Sequence, residues 1–139
     1  KILTDYFSFS IKKKHVVELL SELFSRLDYP ENVVIRSDNG SQFIAQDVRE
    51  YLGLIGVGQE FTHVATPEEN AHIEAYHGTL KRDIFDRFEY RNFGEIEAIL
   101  KRYVEFYNHI RLHGLLGKIT PIQKWAQDRH LIKKRKHIA

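Results

Sequence analysis

The apolar run Val33-Val34-Ile35, preceded by Pro30 and followed by Ser37-Asp38-Asn39-Gly40, constrains this chain more than any other stretch. A short continuous apolar run between turn formers reads as a buried strand, here Asn32 to Ser37. Asn39-Gly40 tolerates positive φ, so an Asx-type turn is expected directly after it. Asp38 then sits at the carboxyl end of the strand, the edge where ligands gather in open α/β sheets.

Helical and strand-like patterns alternate around that stretch. Lys12 to Leu27 carries Val16, Leu19, Leu20, Leu23, Phe24 and Leu27 at steps of three and four, which predicts a one-faced helix. Ala45 to Ile55 repeats the pattern with Val48, Tyr51, Leu52 and Ile55, and Gly56 and Gly58 should stop it. Lys1 to Ser10, with Ile2, Tyr6, Phe7 and Phe9, and Gln59 to Val64 read as further strands. Periodicity therefore gives three strands interleaved with helices.

A long helix is expected from Glu69 or Asn70 to Phe85 or Arg87. Ile73, Tyr76, Leu80 and Ile84 should face a core. Asn70, Glu74, His77 and Lys81 follow steps of four, three and four on another face. Glu74 and Lys81 then lie two turns apart, roughly 10 Å along the axis. A second long helix is expected over Glu95 to Ile110, and a last short one through Trp125. Between them runs Tyr107-Asn108-His109-Ile110-Arg111-Leu112-His113, then Leu116-Gly117-Lys118-Ile119-Thr120-Pro121.

Charge is uneven although the net charge is only +2. From Asp38 to Glu74 there are seven acids against one base, whereas residues 129–139 hold five bases and no acid. An acidic centre with a basic end is compatible with phosphodiester chemistry. A solvated terminus explains the basic end equally well. There is no cysteine, which excludes a thiolate metal site. No run of about 18 apolar residues is present, so no membrane span is expected. The 139 residues fit one domain, and the chain has no methionine, which reads as a piece of a longer protein.

Asp38 in Ser-Asp-Asn-Gly-Ser-Gln-Phe, Glu74 after 35 intervening residues, and Lys81 seven positions later resemble the catalytic core of DDE-type recombinases. These are bacterial insertion-sequence transposases and retroviral integrases. The Tyr107 to Pro121 pattern resembles the end of insertion-sequence transposase cores, with Leu112 standing where that family usually has Pro. Taken singly, Asp38 could be a turn former and Glu74 a solvated helix residue; their joint spacing carries the resemblance.

The resemblance implies an α/β fold of the ribonuclease-H-like kind, a mixed sheet flanked by helices. It makes Asp38 and Glu74 the second and third catalytic carboxylates and the ligands of Mg²⁺ or Mn²⁺. Lys81, Asn39, Gln42, Asn70, His77 and Arg111 become candidate DNA contacts. Hard cations take carboxylate oxygen and water, and two of them about 3.5–4 Å apart can activate a nucleophile and stabilise a leaving oxygen. In the family, water frees a 3′-hydroxyl at the transposon end, which then attacks target DNA. The implied partners are DNA and further copies of the chain, and the implied location is the bacterial cytoplasm, at the nucleoid.

That family uses three carboxylates, the first more than fifty residues before the second. Only 37 residues precede Asp38. We therefore expect residues 1–128 to be a partial core lacking its first strand or strands, residues 129–139 to be a basic tail, and the fragment to be inactive. Asp5, in Leu3-Thr4-Asp5-Tyr6, is the one upstream acid with a plausible context. A non-catalytic remnant that binds DNA or a partner, and a ribonuclease-H-like nuclease, are the alternative readings.

Overall fold

In the computed structural model the described residues are 1–62 and 67–132, and the side chains of residues 67–70 and 72 lie outside the description. They divide into two compact units. One lies within Leu3–His63 and Arg129–Ala139, the other within Lys1–Ile2 and Val64–Asp128.

The first unit opens with α1, Lys13–Arg26, which buries Val16, Leu20, Leu23 and Phe24 on one face. The Leu27 amide donates to the Leu23 carbonyl, and Asp28 and Tyr29 then take positive φ before Pro30. Strand β1, Val34–Ser37, follows, then a one-turn helix α2, Ser41–Ile44, and α3, Gln46–Leu54. Gly56, at φ 63°, ends α3 by taking the left-handed conformation that a side chain disfavours. Gly58 does not act as a stop. It opens β2, Gly58–Phe61, where an added Cβ would meet Val34 Cγ2 at 3.2 Å.

β1 and β2 pair in parallel, Val34 opposite Gly58 and Ser37 opposite Phe61. Parallel neighbours need a crossover, and α2 and α3 supply it. Phe24, Val48 and Leu52 are the most deeply buried side chains, joined by Val16, Leu20 and Val57. Ile35 packs on this cluster while Val34 is 50% exposed. The expectation of a strand buried on both faces is thus corrected. Side chains alternate across a sheet, and among the described residues helices cover only one face of this one.

The expected strand at Lys1 to Ser10 does not form. Its backbone groups go to side chains instead of a ladder. The Leu3 carbonyl accepts from Arg26 at 3.1 Å. Within the second unit, Asn108 accepts from the Ile2 amide and donates to the Ile2 carbonyl, each at 2.9 Å.

The second unit contains α4, Pro67–Leu80, which continues into a π-helical turn, Lys81–Phe85. The Asp86 amide reaching the Lys81 carbonyl at 2.9 Å closes that wider turn. The expected end of the helix holds, but its start is earlier, with Pro67 in the first turn, where a missing amide costs nothing. Ile84 is buried as expected; Ile73 is not, at 53% exposed. The reason is that α4 finds its packing partners late. Tyr76 meets Tyr107 edge to face at 5.3 Å and Ile84 lies deeper still, whereas Ala71, Ile73, Glu74 and Ala75 are exposed.

Helix α5, Phe93–His109, starts two residues before the expected Glu95. The Asn92 side chain accepts from the Glu95 amide, and the Glu95 carboxylate accepts from the Arg91 amide. A 3₁₀ turn, Gly114–Leu116, leads to α6, Pro121–Asp128. Thr120-Pro121-Ile122-Gln123 is a capping box. The Thr120 hydroxyl accepts from the Gln123 amide, and the Gln123 side chain accepts from the Thr120 amide. Arg129–Leu131 forms a further 3₁₀ turn, and residues 133–139 of the basic tail lie outside the described residues.

The core of the first unit yields a direct test. Phe24→Ala should lower stability to urea by about 3–5 kcal/mol, because a large buried ring leaves a cavity that neighbours fill only in part. Leu54→Ala, at a position 84% exposed, should stay within about 0.5 kcal/mol.

Candidate active site

Asp38 emerges exposed at the carboxyl end of β1. Its Oδ1 accepts from the Gly40 amide at 2.9 Å, which is the expected Asx turn, and Oδ2 is left outside that turn. The expected positive φ is absent: Gly40 has φ −57° and Asn39 is not among the left-handed residues. Gly40 is needed for a different reason. An added Cβ would lie 2.6 Å from Gln42 Nε2 and 2.9 Å from Asp38 Oδ1. The glycine leaves room for the carboxylate and the Gln42 side chain to close over the turn.

Asn39 donates to the Thr62 carbonyl at 3.0 Å, and the Thr62 amide donates to the Ser37 carbonyl. Asn39 thereby locks the end of β1 to the end of β2 and fixes the base on which Asp38 stands. Gln42 is half-buried beside Gly40. Arg36 and Glu60 form a cross-strand ion pair at 2.9 Å, well exposed and correspondingly weak.

Glu74, His77 and Lys81 are all exposed along α4 and its first π residue. Their spacing keeps Glu74 and Lys81 on one stripe, because the helix widens only from Lys81 onward. Asn70 lies on α4 with its side chain outside the described residues. Asp38 and Glu74 belong to different units.

Arg111 is only partly exposed and forms an ion pair with Asp83, whose carboxylate also accepts from the Tyr103 hydroxyl at 3.2 Å. Burial, reinforced by the Asp83 charge, pushes the Tyr103 phenol above its ordinary pKa. This brace was not foreseen, since nothing in the pattern around Asp83 marks it. Asn108 was also missed as an anchor, although it is the Asn of the Tyr107-Asn108 motif and is buried. His113 packs edge to face on Tyr107 at 4.7 Å. Its Nε2 is buried with no hydrogen-bond partner among the described residues. His109 instead faces Glu105 at 3.5 Å near the surface.

Asp38 and Glu74 match a hard divalent cation in donor type. Among the described residues no three His, Cys, Asp or Glu side chains gather. Asp5 is exposed on the amino-terminal stretch, which forms neither helix nor strand.

Burial lowers the His113 pKa and the Arg111 charge adds to this, while a hydrogen bond to the Tyr107 backbone opposes both. The unfolded chain therefore binds the proton more readily than the folded one. Stability is fully present above the ordinary imidazole value of about 6.5 and is lost as pH falls through it. The thermal midpoint should drop as pH falls below about 6.5, and His113→Gln should flatten that drop.

A family model described as "Integrase core domain" matches residues 55–121. The chain is 29% identical over 120 residues to the putative transposase InsK for insertion sequence element IS150 of Escherichia coli (strain K12), covering 84% of this chain and 42% of that protein. It is 32% identical over 93 residues to the insertion element IS600 uncharacterized 31 kDa protein of Shigella sonnei, covering 66% and 34%. The chain thus spans less than half the length of either relative. Among solved structures it is similar to the catalytic core domain of BIV integrase, with TM-score 0.64 at 20% identity over 86% of this chain and 74% of that one. It is also similar to a chain of the simian T-cell lymphotropic virus intasome in complex with PP2A regulatory subunit B56 gamma. There the TM-score is 0.69 at 15% identity, over 95% and 47%. The fold is that of the integrase catalytic cores, ribonuclease-H-like. By sequence and fold together, this chain is similar to the integrase cores of bacterial insertion-sequence transposases and retroviral integrases.

Proposed function

We propose that this chain is a segment of a DDE transposase core, with Asp38 and Glu74 as its second and third carboxylates. The observation that carries the reading is the exposed stripe of Glu74, His77 and Lys81 on α4, at the spacing from Asp38 that the family uses. Bound Mg²⁺ or Mn²⁺ would supply charge stabilisation at the reacting phosphate, and the oxygens of Asp38 and Glu74 would hold it. The Asx turn orients the Asp38 carboxylate, and Asn39 stiffens the strand ends beneath it. Lys81 and His77 would lie against the phosphate backbone of DNA, where a lysine acts as a point charge. Gln42 and Asn70 remain assigned to DNA as well. Arg111 would contact DNA only through guanidinium nitrogens that Asp83 leaves free.

These 139 residues supply two of three carboxylates, so we infer that they bind DNA without carrying out strand transfer. The reaction belongs to an assembly on DNA, of several copies, in the bacterial cytoplasm. No helix among the described residues is long and apolar enough to cross a membrane.

Two measurements test this reading. With labelled transposon-end DNA and Mn²⁺ the chain should give no 3′-end cleavage. Cleavage that disappears in Asp38→Asn would overturn the two-carboxylate inference, and single-strand nicking without joining would favour a nuclease. In gel-shift titrations, Lys81→Ala should weaken duplex binding alike for all sequences and reduce the salt slope by about one, as expected for loss of one phosphate contact.

A further inference from the structure

A cleft of about 580 Å³ opens in the second unit between the π-helical turn and α5. Tyr103 is buried in its wall, and Phe88 and Phe106 stand at its edge, 50% and 39% exposed. Three arginines line it, Arg87, Arg102 and Arg111, against one carboxylate, Asp83. Asp83 is already committed to Arg111. Arg87 and Arg102 are exposed and enter no ion pair among the described residues. The cleft is therefore an apolar hollow with two uncompensated guanidiniums on its rim. No residue assigned above to metal or DNA lines it except the braced Arg111.

We propose that this cleft docks an acidic peptide segment of a partner protein, one that places an aromatic or leucine side chain next to Asp or Glu. The volume falls in the range of sites that enclose a small ligand or a side chain or two. Half-exposed phenylalanines beside unpaired arginines are the composition of an interface hot spot. A carboxylate would meet Arg87 or Arg102 in forked geometry while its apolar neighbour covers Phe88 and Phe106. Duplex DNA fits the shape less well. Tracking a backbone takes cations strung along a surface, whereas these surround one hollow.

The test uses the whole chain and a short fluorescein-labelled peptide alternating Phe with Glu and Asp, followed by fluorescence polarisation. Saturable binding is expected, weakened about tenfold or more by Arg102→Glu and by Phe106→Ala, and largely kept by Arg102→Lys. Lys101→Glu, at a neighbouring residue paired with Glu97 and outside the cleft, should change affinity less than about twofold. Circular dichroism would confirm that each variant folds. Absence of binding, equal loss in Lys101→Glu, or equal affinity for an all-glutamate peptide would overturn the proposal. Tighter Arg102-dependent binding of oligodeoxythymidylate would overturn it in favour of single-stranded nucleic acid. Concentration-dependent dimerisation abolished by Arg102→Glu would give the cleft to a second copy of the chain.

Discussion

The parallel pairing of β1 with β2 holds the first unit to its purpose. Four residues on each strand are a small sheet, stable only because Phe24, Val48 and Leu52 bury one face of it against α1 and α3. Parallel strands place their carboxyl ends side by side, so Asp38 and Thr62 leave the sheet together. Asn39 can then bond across to the Thr62 carbonyl. The candidate metal ligand is thereby mounted where the two strand ends are tied together, while its carboxylate stays in solvent. A carboxylate that holds a metal ion would need both properties: fixed position and access to the ion.

The second unit solves a different problem. Helix α4 and the turn after it present Glu74 and Lys81 outward while burying Ile84 a few residues later. A plain α-helix could do that, but the π turn also carries Asp83 to Arg111 and Tyr103. Wider turns of this kind recur near functional sites because they re-aim side chains without breaking the helix. The carboxyl-terminal motif is largely architectural. Asn108 satisfies both backbone groups of Ile2, His113 packs on Tyr107, and Thr120-Pro121 caps α6.

Much of this was legible in the residues. The helices α1, α3 and α5 follow from apolar spacing because each buries one stripe, and Asp38 at a strand end follows from the turn formers after it. What could not be read depends on contacts distant in sequence. Lys1 to Ser10 has strand-like composition, yet its pairing depends on neighbours rather than on its own propensity. Val34 looks identical to a doubly buried residue until the uncovered face is known. The left-handed turn expected at Asn39-Gly40 failed because the Asp38 side chain closes the turn, leaving glycine a steric role. Asp83 carries no local signature, since its partners are 20 and 28 residues away.

The small size of the sheet has one more consequence. With two strands, each has a side without a strand partner among the described residues, and unpaired edges of this kind are where another extended segment can add. Arg36 and Glu60, salt-bridged on the uncovered face, discourage flat stacking of sheet on sheet. They do nothing to stop a strand from adding edgewise. Handling this polypeptide in concentrated solution therefore means managing backbone groups that seek a ladder, and a lengthened sheet is the form in which it would self-associate wrongly.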